Sequence, residues 1–134
     1  MSQATTRAAL ETALNGIAPS LSTAWENVAF TPPASSVPYQ RAHVLFATPD
    51  NAVIGNEWIE RGIFQVTLCY PLQAGDGAAR ARVALLRTEF YRGRTLTSGG
   101  TKVVIERTPD AGSGTADGDR WVVPVRIRWF SQGD

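Results

Sequence analysis

One cysteine, one histidine and no long apolar run are the first features of this 134-residue sequence. With Cys69 alone, an internal disulfide framework is excluded, and a lone thiol suits a reducing cytoplasm. His43 has no second histidine with which to share a metal or a proton relay. No stretch approaches the roughly 20 apolar residues of a membrane-spanning helix, and the N-terminal residues hold no apolar run of signal-peptide length. Charge of either sign is not in excess. The 13 Lys and Arg against 12 Asp and Glu give a net +1, spread along the chain, so neither a basic nucleic-acid footprint nor an acidic tail is present. The expectation is a soluble cytoplasmic protein that binds neither membranes nor nucleic acid specifically.

What is present suffices for one domain over residues 1–134, since 43% hydrophobic residues can bury a modest core. Ser2 or Thr5 caps a first helix whose buried stripe is Leu10, Leu14 and Ile17, and Gly16 and Pro19 mark its end. Trp25 to Phe30 reads as a brief strand. The proline-rich residues 31–38 then break any regular pattern, because proline lacks an amide donor and fixes φ.

Residues 39–47 alternate as a half-buried strand, with Ala42, Val44 and Phe46 on one side and Arg41 and His43 on the other. A longer strand over 57–70 puts Trp58, Phe64, Val66, Leu68 and Tyr70 at even positions, and Gly62 inside it marks a bulge or a close backbone approach. A second helix over 77–91 buries Ala79, Val83, Leu86 and Phe90, leaves Arg80, Arg87 and Glu89 nearer water, and takes Asp76 as N-cap and Gly93 as C-cap.

Arg94 to Leu96 starts the next strand, and Val103 and Ile105 point inward from another. In the last strand Trp121, Val123, Val125, Ile127 and Trp129 share one face and Arg120, Arg126 and Arg128 the other, with Phe130 an exposed exception on the arginine side. Pro124 predicts an edge or a bulge there. The order is helix, two or three strands, helix, two or three strands. That predicts an α+β fold, two helices packed on a mostly antiparallel sheet.

Candidates for chemistry weaken one by one. His43 alternates with apolar neighbours in a strand, and Cys69 lies in a β-rich run with only His43 as a conceivable base, so both read as structural. Gly75-Asp76-Gly77 resembles an anion-binding turn but lacks the Lys-Ser/Thr ending of a phosphate loop. Asp110, Asp117 and Asp119 hint at calcium, yet their spacing misses the twelve-residue loop and its closing glutamate. Residues 109–119, rich in glycine and without a large apolar side chain, read instead as a disordered, solvated hairpin tip. Glu57 and Glu60 fail as a paired acid and base, because strand residues three apart point to opposite faces. No catalytic residue, cofactor site or metal site is expected.

Gly62-Ile63-Phe64-Gln65-Val66, Tyr70-Pro71, the Gly75–Gly77 turn, an alanine-bearing helix ending Phe90-Tyr91-Arg92-Gly93, Leu96, and the final Pro124-Val125-Arg126-Ile127-Arg128-Trp129 resemble the small phage and prophage proteins of the tail-terminator class, including the U-type tail protein of lambda. The resemblance covers nearly the whole chain in element order and consists mostly of packing motifs. It implies an α+β structural protein, not an enzyme. It further implies a ring of copies, typically six, on the head-proximal end of the tail tube, with the tube subunit and a head-tail connector as partners. Such a protein works in the bacterial cytoplasm during assembly and leaves in the virion tail.

The recognisable motif transfers no interface residue individually. The residues themselves offer Arg120, Arg126, Arg128 and Phe130 as one candidate interface, and Arg92 and Arg94 face either a neighbour or solvent. Two other readings stay open: a different neck component of the head-tail joint, and a small ligand-binding domain or enzyme with a pocket beside His43 and Cys69.

Overall fold

The computed structural model describes residues 2–51, 54–55 and 58–133. Helix α1 (Gln3–Asn15) begins with both candidate caps used at once. The Thr5 amide donates to the Ser2 hydroxyl at 3.2 Å and the Ser2 amide to Thr5 Oγ1 at 3.1 Å, a reciprocal box that satisfies donors the helix itself cannot. Its stripe of Ala9, Leu10, Ala13 and Leu14 is buried.

Among the described residues eight strands form one sheet: β1 (Ser22–Ala24), β2 (Tyr39–Phe46), β3 (Trp58–Pro71) and, after helix α2 (Gly77–Glu89), β4 (Thr95–Ser98), β5 (Thr101–Ile105), β6 (Asp110–Ala111), β7 (Thr115–Asp117) and β8 (Arg120–Gly133). The main order is β1-β2-β3-β8-β5-β4, with β6 and β7 also on β8. Only the β1·β2 pairing is parallel. The spine is the antiparallel pair β3·β8, in register from Trp58↔Gly133 to Pro71↔Arg120. The α+β expectation holds. Its later strands number five rather than two or three because residues 109–119 contribute two.

Both helices pack on one face. Phe64, Val66, Leu68 and Tyr70 from β3 and Val123, Val125, Ile127 and Trp129 from β8 form a single cluster with Leu10, Leu14, Val83, Leu86 and Phe90. Gly62 shows why it is glycine: a Cβ there would stand 2.1 Å from the Leu45 carbonyl oxygen and 2.6 Å from the Trp129 ring. Close approach, rather than a bulge, is its role.

Several local expectations are corrected. The strand expected at Trp25 to Phe30 lies earlier, at β1; residues 26–27 form a turn, with Asn27 at φ 55°. Asp76 sits at the N-cap of α2 but makes no side-chain cap, because its carboxylate is taken by Arg80 Nε and Trp121 Nε1, each at 2.7 Å. Helix α2 stops at Glu89 with Phe90 as C-cap; Gly93, at φ 90°, turns the chain afterwards and gives its amide to Ile105.

Pro124 lies in a central strand, not at an edge, and its pairing with β3 is unbroken; the irregularity it predicts lies on the other side of β8. Its carbonyl accepts from the Gly112 amide, so its missing donor falls on the same side, where the pairing shifts by one residue between β6 (Ala111↔Val125) and β7 (Thr115↔Val122) and the ladder is already interrupted.

The segment 109–119 is ordered along β8. Its glycines answer packing: a Cβ on Gly112 would meet Pro124 at 3.0 Å and one on Gly114 would enter the Trp121 ring at 2.3 Å. Pro109 is buried and accepts from Arg87 Nε at 3.0 Å. Of the two glutamates dismissed as a pair, Glu57 is outside the described residues, and Glu60 is buried on the helix side with Gln3 donating to it at 2.8 Å.

Candidate assembly surface

The face of the sheet opposite the helices carries the expected arginines, in rows set by the register. From one end these rows run Tyr39, Cys69, Val122; Arg41, Thr67, Pro124; His43, Gln65, Arg126; Leu45, Ile63, Arg128; then Arg61, Phe130, Val104, Thr95. His43 and Cys69 share this face but stand four residues apart along β2 and β3, about 13 Å at the usual strand rise. Cys69 is fully buried under Phe30 and Tyr39, while His43 is exposed. The two form no shared site. Among the described residues no group of three or more His, Cys, Asp or Glu side chains is placed to hold a metal ion, and no helix is long and apolar enough to cross a membrane.

The six candidate interface residues divide by environment. Arg120, only 5% exposed, is a structural clamp: its guanidinium donates to the carbonyls of Pro33 at 2.7 Å, Ala34 at 2.9 Å and Val37, and lies 4.9 Å over the Tyr39 ring. It fixes loop 31–38 over one end of the face. The expectation that it belongs to a free arginine surface is therefore corrected. Arg126 is half-buried beside Asp110 at 3.3 Å. Arg94 bonds the carboxylate and the backbone carbonyl of Glu89, securing the last turn of α2. Arg92 and Arg128 are exposed, and Phe130 is half-buried beside Val104 rather than free.

Sequence reading missed three features. Arg82, expected nowhere, is 3% exposed on α2; it donates to the Pro19 carbonyl at 2.5 Å, and burial pulls its pKa below the ordinary arginine value. The far end of the open face holds an apolar group of Leu45, Ile63, Val104 and Phe130, with Leu45 51% exposed. Its signal was Ile63, the apolar member of the otherwise polar odd positions Arg61, Gln65 and Thr67. Lastly, an open depression of about 420 Å³ lined by Ser35, Ser36, Pro71, Leu72 and Gln73 adjoins the β7–β8 turn at Asp119, one of the two exposed aspartates that the sequence placed on a solvated tip.

Comparison with known proteins places this arrangement. A family model described as phage tail terminator protein matches residues 5–129. The chain is also similar to a solved structure at a TM-score of 0.78 and 31% sequence identity, over 100% of this chain and 98% of that one. No curated protein matches at a significant level. The family match takes in both helices and the sheet as far as Trp129, and the chain belongs to the phage tail terminator family.

Proposed function

We propose that the protein closes the head-proximal end of a phage tail tube as a ring of six identical subunits and offers the ring's other surface to the head-tail connector. The observation that carries this reading is the family match over residues 5–129. The open sheet face supports it, because exposed Leu45 stands beside half-buried Ile63, with half-buried Phe130 and Val104 on the neighbouring strands, an apolar group that a neighbouring subunit would cover. A closed ring needs two different surfaces per subunit, which the two ends of this face supply. The subunit acts in the bacterial cytoplasm while the tail is built and remains in the virion tail. Native mass spectrometry over a concentration series tests the ring: a hexamer mass without open-ended series supports it, and monomer at every concentration, with or without tube ends, contradicts it.

A further inference from the structure

The open face carries cations and carboxylates at both ends, and the ends differ in which of them are left uncommitted. Glu106, whose amide donates to the Arg128 carbonyl, stands across from Arg128 without an ion pair to it within 4.0 Å. At the end reached by Arg61 and Phe130, the exposed side chains Lys102 and Arg128 have no carboxylate within 4.0 Å among the described residues. They border the apolar group of Leu45, Ile63, Val104 and Phe130. Arg61, in the same region, is shared with Asp50 at 3.4 Å.

At the opposite end, ten residues along β3 and so about 33 Å away, stand Asp117 and Asp119. Asp119 is 73% exposed, and its one cation, Arg120 at 4.0 Å, is already committed to three loop carbonyls. Asp117 touches Arg41 only at 3.7 Å. Exposed Leu72 and Val37 lie beside this acidic turn and its depression. The Arg120 clamp holds loop 31–38, so the acidic end is preformed, which lowers the ordering cost of association.

We infer that the cationic, apolar end of one subunit docks on the acidic end of a second copy, head to tail, through Arg128 and Phe130 on one side and Asp119 and Leu72 on the other. The inference rests on the ring reading and names its two surfaces. The complement of each end is found on the same chain, which favours a second copy over an unrelated acidic protein. Contact between two unlike ends is heterologous, the kind that closes into a ring when the rotation permits. Charge sets the register of such a contact, and burial of the apolar group supplies the driving force.

Charge exchange tests it with full-length protein. Arg128→Glu faces Asp119 with like charge, and Asp119→Lys faces Arg128 with like charge. Each alone is expected to raise the concentration for half-assembly by about tenfold or more. Mixed together, the two variants restore assembly as alternating copies, and the double variant assembles with itself. Rescue by mixing separates a lost contact from a lost fold. If the wild type assembles and both single variants assemble equally well, the docking is wrong while the ring stands. Single variants that assemble normally but no longer bind tube ends overturn it too, and give the cationic end to the tube subunit. A wild type that never assembles, alone or on tubes, removes the ring and the docking together.

Discussion

The indole nitrogen of Trp121 donates to the carboxylate of Asp76 at 2.7 Å, tying the start of the last strand to the start of α2 across 45 residues of sequence. Arg80 Nε meets the other oxygen at 2.7 Å. Hydrogen bonds from Arg80 and then Trp121 hold the Asp76 carboxyl below the usual aspartate range. A carboxylate with a depressed folded pKa adds stability that is present above the unfolded value, about 3.9, and is lost as pH falls through the folded value. Asp76→Asn is therefore expected to flatten the acid limb of stability below about pH 4. Urea unfolding at pH 3 and pH 6 measures this; an unchanged pH dependence contradicts it.

Gly114 lies against the same indole. Gly114→Ala places a methyl inside the Trp121 ring position, so the ring must leave Asp76 or the chain must leave β8. Overpacking of this kind costs about 1–3 kcal/mol. Its companion observable is amide exchange: the β7 amides that pair with β8 should be protected, although the composition of residues 109–119 reads as disorder. Exchange at the free-peptide rate throughout this segment would refute the pairing.

Core substitutions should act on folding. Trp129 and Phe90 are fully buried, and truncating either to alanine should cost about 3–5 kcal/mol. Gly62→Ala should also be costly, because the Leu45 carbonyl beneath it is backbone and cannot rotate away. Chemical denaturation reads all three, and a loss below about 1 kcal/mol at Trp129 would mean that its strand face is misassigned.

The arginines should separate in stability. Arg120→Glu leaves three loop carbonyls and a buried negative charge unanswered, an expected loss of about 2–4 kcal/mol. Arg128→Glu, on the exposed face, should stay within about 0.5 kcal/mol of the parent. Equal losses at both positions would contradict the division between clamp and surface.

What could be read from sequence was governed by period. Alternation placed Phe64, Val66, Leu68, Ile127 and Trp129 on the inner face, and the 3.6-residue repeat placed Leu86 and Phe90, because a side chain's direction along a regular element follows from its position alone. Long-range polar partners carry no such period. Nothing local distinguishes Arg120, which crosses to Pro33 and Val37, from Arg128, which meets solvent, and nothing near Asp76 announces Trp121. The glycines of 109–119 misled for a related reason. Glycine serves flexibility and close packing alike, and only the position of the Trp121 ring shows which applies.

The most direct measurement is the length and end structure of tail tubes grown with and without the purified protein, seen by electron microscopy. The account predicts that tubes stop elongating and carry a six-fold ring of density at one end. Tubes that keep growing with bare ends at saturating protein would contradict it.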